Sequence, residues 1–107
     1  MVRRGEIHWA DLGPPAGRRP VLILTRDAAI PVLAAVVVAP LTRTVRGIRS
    51  EIPMGPGEGL PDECVANCDN LFTVPKAVLE REPVGRLKLP QAMQLDDALR
   101  FSLDIRY

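Results

Sequence analysis

Hydrophobic positions along the chain fall into short runs separated by polar or Gly/Pro-rich segments. The first run, residues 6–12, alternates apolar and polar positions with Ile7 and Trp9 on one face, and this period of two predicts a β-strand. His8 lies on the opposite face, which predicts a surface position, whereas Trp9 is predicted to belong to the core. Residues 13–17 hold two glycines and two prolines and predict a loop.

The second and third predicted strands, residues 21–25 and 34–41, form the centre of the pattern. Apolar residues follow one another through the third strand without alternation, which indicates a strand buried on both faces, as in the wall of a small barrel. The segment between them is predicted to contain one helical turn. Further strands are predicted at residues 48–54, 63–68, 71–74 and 82–87, with a helical turn at residues 75–79.

A helical period appears only near the C-terminus, where the pattern predicts a helix over residues 91–105 after Pro90, since proline is tolerated in a first helical turn. One face of this helix is mostly apolar and would cover the core or contact a second copy of the chain; it holds Ala92, Leu95, Ala98, Leu99, Ser102 and Ile105. The chain is therefore predicted to form one domain, residues 1–107. Its class is mainly β with α: an SH3-like small barrel of six or seven strands plus a C-terminal helix.

Composition limits the class of protein further. Hydrophobic residues make up 47% and charged residues 25% of the chain, as in globular proteins. No apolar run approaches the roughly 18–20 residues of a membrane span, and no apolar signal segment follows the N-terminal arginines. We therefore expect a cytoplasmic protein without membrane contact.

The cysteines and the single histidine give no sign of a metal or a cofactor. Cys64 and Cys68 are four residues apart, so on a strand their Cα atoms would be separated by roughly 13 Å, too far for a disulfide. We predict that both thiols act as small hydrophobic groups. One histidine cannot complete a four-ligand zinc site with them within one subunit.

Charge is unevenly distributed although the formal net charge is only +1. Residues 1–53 contain eight arginines against four acidic residues, and residues 54–107 contain six basic against nine acidic residues. Because the arginine guanidinium matches phosphate geometry, the first half is the candidate anion-binding face.

Four short motifs occur in order along nearly the whole chain. They are Arg4-Gly5-Glu6-Ile7-x-Trp9-x-Asp11-Leu12, Arg19-Pro20-Val21-Leu22-Ile23-Leu24, Val38-Ala39-Pro40-Leu41-Thr42 and Cys68-Asp69-Asn70. Together they resemble the MazF/PemK toxins of bacterial toxin–antitoxin systems. The resemblance implies a MazF/CcdB-like fold and a homodimeric endoribonuclease that cleaves single-stranded RNA at short sequences without a metal or cofactor. It also implies inhibition of translation and growth, and control by a MazE-like antitoxin.

The resemblance assigns the catalytic roles to Arg19, Thr42 and Asp69. Arg19 suits stabilisation of the negative charge that develops on phosphate, Thr42 can donate its hydroxyl, and Asp69 is the candidate general base. Residues in the flanking loops are predicted to contact RNA phosphates or base edges: Arg18, Arg43, Thr44, Arg46 and Asn70. The family's usual basic residue two positions before the aspartate is Asn67 here, and the loop over residues 13–18 is short.

Two alternatives to RNA cleavage remain open at this point. A CcdB-like toxin shares the fold but binds gyrase without catalysis, and that family ends in Trp-Gly-Ile, whereas this sequence ends in Asp104-Ile105-Arg106-Tyr107. An inactive relative that only titrates antitoxin is the second alternative. The presence of both Arg19 and Thr42 argues against it.

Overall fold

The computed structural model describes residues 1–106 and folds them into one curved antiparallel sheet with a C-terminal helix. The strands are β1 (Glu6–Asp11), β2 (Arg18–Ile23), β3 (Ala35–Thr42), β4 (Glu51–Met54), β5 (Cys64–Asn67), β6 (Phe72–Pro75) and β7 (Gly85–Arg86), and the helix is α1 (Leu89–Leu103). This architecture confirms the predicted class of a small β-barrel with one terminal helix. Tyr107, the last residue of the predicted domain, lies outside the described residues.

The strand β3 is the centre of the sheet, whose order is β4-β5-β3-β2-β1-β7. One edge of β3 pairs with β2, with Ala39 opposite Leu22. Along its other edge the first half pairs with β6, and its last two residues, Leu41 and Thr42, pair with β5. Because β3 changes partner there, its C-terminal end lies where three strands meet.

Both faces of β2 and β3 are buried, as the unbroken apolar run predicted. On one face Leu22, Ala39 and Leu41 belong to a cluster that α1 covers with Leu95 and Ala98. The other face carries a second cluster, which contains Ala10, Val21, Ile23, Ile30, Val36, Val38, Val74 and Leu79. Successive side chains point to opposite sides of a strand, so one strand supplies both clusters and stays fixed between them.

The predicted start of β2 at residue 21 is wrong, because the strand begins at Arg18. Arg18 pairs with Asp11 and Arg19 pairs with Ala10 of β1, so the ladder extends to the short loop. Both arginines are therefore held by strand hydrogen bonding instead of lying in a loop. This places the backbone of Arg19 at a defined position in the sheet.

The helix α1 begins two residues before the predicted start and ends at Leu103, two residues before the predicted end. Asp104 adopts the left-handed conformation, with φ of 55°, and this ends the helix. Ile105 is consequently 42% exposed and does not extend the buried face, contrary to the prediction. Within residues 1–106, no helix is both long and apolar enough to cross a membrane.

His8 is fully buried, so the predicted surface position is wrong. Its Nδ1 lies 2.7 Å from the carbonyl oxygen of Glu80, and its Nε2 lies 3.0 Å from Oε1 of Glu6, which is itself buried. The strand pattern missed this because the face opposite Ile7 is covered by the segment around Glu80, a long-range contact. His8 is thus part of a buried polar pair inside the barrel.

A close backbone contact makes Gly85 essential to the packing of β7. A methyl group at this position would clash with the carbonyl oxygen of Glu58 in the 3-10 turn Pro56–Glu58. We expect Gly85→Ala to lower the free energy of unfolding by about 1–3 kcal/mol, the usual cost of forcing extra atoms into a packed site. Urea unfolding measures the change, with Gly57→Ala as the matched control, because no atom of residues 1–106 lies within 4 Å of a Cβ at that position. Equal stability of the two variants would contradict the prediction.

Candidate active site

Arg19 is oriented by two carbonyl oxygens at the end of the β1–β2 hairpin. Its Nε donates to the carbonyl of Ala16 at 2.9 Å, and its Nη1 lies 3.5 Å from the carbonyl of Leu41 in β3. The short loop between β1 and β2 supplies the carbonyl oxygen, that of Ala16, which orients Arg19. Of the five N–H donors of a guanidinium, three remain for a bound anion.

Thr42 is the last residue of β3 and follows directly after the carbonyl that Arg19 contacts. Its hydroxyl oxygen accepts the backbone N–H of Thr44 at 3.1 Å. The hydroxyl proton is left to donate to another acceptor. The structure thus brings the predicted pair, Arg19 and Thr42, to one place on the surface of the barrel.

Two cavities meet at these side chains. The larger cavity, of about 400 Å³, is lined by Trp9, Arg18, Arg19, Pro20, Leu41, Thr42, Arg43, Thr44, Leu60, Pro61, Asp62 and Cys64. The smaller cavity, of about 220 Å³, is lined by Arg19, Pro40, Thr42, Thr44, Arg46, Glu51, Asn67 and Asn70. Arg19, Thr42 and Thr44 line both cavities and form the ridge between them. We call the two cavities and this ridge the groove.

All five residues predicted to contact RNA lie in the groove. Arg18, Arg43 and Thr44 line the larger cavity, and Thr44, Arg46 and Asn70 line the smaller one. Four of the chain's arginines therefore converge on one surface, counting Arg19 of the ridge. Part of the positive charge carried by the first half of the sequence is therefore gathered at the groove.

Asp69, the predicted general base, lies outside the lining of both cavities. Its Oδ2 accepts the hydroxyl of the buried Ser50 at 2.5 Å, and its backbone N–H donates to Oδ1 of Asn67 at 2.9 Å. The carboxylate is exposed but tied to Ser50. Its assignment as the base stays a prediction.

Two carboxylates that the sequence did not single out do line the groove. Asp62 lies in the larger cavity, 3.5 Å from Arg43, and both side chains are mostly exposed. Glu51 lies in the smaller cavity and accepts the backbone N–H groups of Arg46 and Gly47 at 2.9–3.3 Å. Glu51 therefore fixes the loop that carries Arg46. No local motif marks either carboxylate, since each reaches the groove only through the fold.

Trp9 is half-buried and lines the larger cavity, which differs from its predicted place in the core. The guanidinium carbon of Arg18 lies 4.3 Å from the centre of its ring. Glu80 fixes this stack, because its Oε2 accepts Nη2 of Arg18 at 2.7 Å and Nε at 3.0 Å. The result is an ordered planar cation at the edge of the groove.

Both thiols and the imidazole are buried, and of the three only Cys64 lines a cavity of the groove. Burial raises the pKa of Cys64, with Glu58 and Asp62 adding to the effect, and burial together with Asp69 raises the pKa of Cys68 to about 11. Both cysteines are free, and His8 lines neither cavity. Over residues 1–106, no group of three or more His, Cys, Asp or Glu side chains is arranged to hold a metal ion.

The fold and the groove together define a class of protein. It is a small antiparallel barrel whose strand ends form an arginine-rich groove suited to a polyanion. Comparison with known proteins gives the family. The family model described as PemK-like, MazF-like toxin of type II toxin–antitoxin system matches residues 3–103. The chain therefore belongs to this toxin family, which confirms the resemblance seen in the four motifs.

Individual relatives match this chain over nearly its full length and nearly the full length of their own chains. The chain is 40% identical over 105 residues to the probable endoribonuclease MazF5 of Mycobacterium tuberculosis, covering 97% of this chain and 94% of the relative. The solved structure of Mycobacterium tuberculosis toxin MazF-mt6 matches with a TM-score of 0.87 and 40% identity, covering 95% of this chain and 99% of that one. A mycobacterial endoribonuclease in complex with its cognate antitoxin matches with a TM-score of 0.86 and 30% identity, covering 100% and 99%.

Proposed function

We propose that this toxin is an endoribonuclease that cleaves single-stranded RNA in the groove without a metal ion. The observation that carries the proposal is the ridge, where Arg19 and Thr42 present N–H and O–H donors between two cavities flanked by further arginines. Relatives named as endoribonucleases support the reaction class. Because the proposed substrate is cellular RNA, we place its action in the cytoplasm.

The proposed reaction uses the 2′-hydroxyl of the substrate as the nucleophile. Its oxygen loses its proton to a base and bonds to the adjacent phosphorus, and the bond from phosphorus to the 5′-oxygen breaks. The 5′-oxygen takes a proton from water or from the protonated base, so the products carry a 2′,3′-cyclic phosphate and a 5′-hydroxyl. Arg19 would donate to the phosphate oxygens as negative charge develops there, and charge-assisted donors of this kind are strong. Thr42 would donate to a second oxygen of the same phosphate.

A carboxylate is proposed to accept the proton of the 2′-hydroxyl. Asp69 is the candidate from the sequence, and Glu51 and Asp62 are the carboxylates that line the groove. Changing each of the three carboxylates in turn to its amide distinguishes these candidates, because loss of a general base lowers kcat by about 10²–10⁴-fold. The variant with that loss identifies the base, and retention of full activity by Asp69→Asn would remove Asp69 from the reaction.

The direct test is incubation of the purified protein with a long single-stranded RNA in EDTA. We expect cleavage at one short sequence, with fragments that carry 5′-hydroxyl ends and 2′,3′-cyclic phosphates. Persistence of cleavage in EDTA supports the metal-independent reaction. Absence of cleavage of any RNA by a protein whose fold is verified by circular dichroism would overturn the proposal.

Arg43 is proposed to contact a phosphate, since its side chain is 80% exposed beside the ridge and, within residues 1–106, pairs only with Asp62 at 3.5 Å. Arg43→Ala is expected to weaken RNA binding and to lower the salt slope of log K by about one unit. Binding of an uncleavable 2′-deoxy substrate at several salt concentrations measures it. Arg49→Ala is the matched control, because Arg49 is paired with Asp97 outside the groove. An unchanged slope in Arg43→Ala would exclude the phosphate contact.

The protein is proposed to be a homodimer. A MazE-like antitoxin with an acidic tail is proposed to bind this dimer and inhibit it. Exposed apolar side chains on α1 are the candidate dimer contact: Leu89, Met93, Phe101 and Leu103. Isologous dimers bury such self-complementary patches, and antitoxin acids would pair with the arginines of the groove. Light scattering at micromolar concentration tests the dimer, and a monomer alone would exclude it.

A further inference from the structure

We propose that the two cavities of the groove are two nucleotide subsites with different functions. The smaller cavity would recognise one base by hydrogen bonds to its edge, and the larger cavity would hold the neighbouring base by stacking without selecting it. This inference rests on the proposed cleavage of RNA at the ridge. It places the sequence preference of the toxin in two asparagines, Asn67 and Asn70.

The ridge sets the relation between the two subsites. Arg19 and Thr42 line both cavities, so a phosphate bound by their donors lies at the boundary. In a single strand, the nucleotides that flank one phosphate leave it in opposite directions. A base on each side of the scissile phosphate therefore meets a different cavity.

The smaller cavity has the chemistry of edge recognition. Its lining is mainly polar and includes two side-chain amides, and amides pair with base edges through one donor and one acceptor. Oδ1 of Asn67 accepts the backbone N–H of Asp69 at 2.9 Å, and this bond fixes which end of the amide is the oxygen. Nδ2 of Asn67 therefore remains as a donor in a fixed orientation. Preorganised donors of this kind distinguish bases best.

Asn70 complements this fixed donor with an unused amide. Its backbone N–H lies 3.3 Å from the carbonyl of Asn67, so the two residues belong to one tight turn. Its side chain makes no hydrogen bond within residues 1–106 and lines the same cavity. Both donor and acceptor of Asn70 are consequently available for a base edge. Glu51, the cross-strand neighbour of Asn67, fixes the loop that carries Arg46 by accepting the backbone N–H groups of Arg46 and Gly47.

The larger cavity has the chemistry of stacking. The guanidinium of Arg18 lies over Trp9 and is fixed there by Glu80, as described above, while 56% of its side chain is exposed. Guanidinium planes and aromatic rings both stack on RNA bases. Because every base has a π-face, a platform of this kind adds affinity with little preference among bases.

The test is cleavage of a randomised single-stranded RNA pool followed by sequencing of the fragment ends. Asn67→Asp keeps the oxygen that accepts the Asp69 N–H but removes the Nδ2 donor, and Asn70→Ala removes an amide with no structural bond. We expect both variants to lower discrimination at the same single position next to the cut, by roughly 5- to 150-fold, which corresponds to one base-edge pair. Arg18→Ala should lower kcat/KM for all sequences alike and keep the wild-type preference.

The outcomes separate this inference from the proposed function. Unchanged preference in both asparagine variants, or a changed base identity in Arg18→Ala, would overturn the assignment of subsites while leaving RNA cleavage intact. Changes at two different positions would also overturn it. A wild-type protein that cleaves no member of the pool would overturn the proposed function itself. If Asn67→Asp does not fold, Asn70→Ala alone decides, because its side chain supports no part of the structure.

Discussion

Arg19→Ala is expected to lower kcat for RNA cleavage by about 10²–10³-fold, the usual loss when one donor to a developing oxyanion is removed. Arg19 makes two bonds to carbonyl oxygens, which orient the guanidinium and leave further N–H groups toward the cavities. Alanine removes the charge, the donors and their orientation together. The effect should fall mainly on kcat, because the charge on phosphate grows between the bound state and the transition state.

Arg19→Lys is the informative control for this prediction. Lysine keeps the positive charge but cannot reproduce the planar fork that holds two oxygens. A partial recovery of kcat would separate the contribution of charge from that of geometry. Both variants should remain folded, because the two lost bonds to Ala16 and Leu41 contribute only about 1 kcal/mol each. Full activity of Arg19→Ala in a folded state would remove Arg19 from the reaction.

The centre of the fold could be predicted because its signal is local. The apolar run of β3 has no polar alternation, and the structure buries both of its faces, with Val36 and Val38 in one cluster and Ala39 and Leu41 in the other. The convergence of Arg19 and Thr42 followed from the family motifs and not from the pattern. Their adjacency arises because β2 and β3 are neighbours in the sheet.

The features that could not be predicted depend on contacts distant in sequence. His8 is buried because the segment around Glu80 returns to β1 and covers its face. Glu51 is the first residue of β4 and Asp62 lies between β4 and β5, and no spacing rule connects either one with Arg19. Local periodicity reports which side of a strand a residue occupies, but what covers that side is decided by the whole chain.

The buried pair of His8 and Glu6 carries the second large prediction. Nδ1 of His8 lies 2.7 Å from the carbonyl oxygen of Glu80 and Nε2 lies 3.0 Å from Oε1 of Glu6, so the buried ring links two polar groups from different parts of the chain. His8→Ala leaves a buried carboxylate without its partner. We expect the free energy of unfolding to fall by about 2–4 kcal/mol, because each buried polar group that loses its hydrogen-bond partner costs about 1–3 kcal/mol. Urea unfolding measures the change.

The same variant distinguishes a structural histidine from a catalytic one. His8 lines neither cavity, so kcat of His8→Ala, measured at a temperature where the variant is folded, should equal that of the wild type. Arg19→Ala should show the reverse pattern, with activity lost and stability nearly kept. Glu6→Gln, which keeps an oxygen toward the ring but removes the charge, should destabilise less than His8→Ala. A His8→Ala protein that is as stable as the wild type and yet inactive would place the imidazole in the reaction.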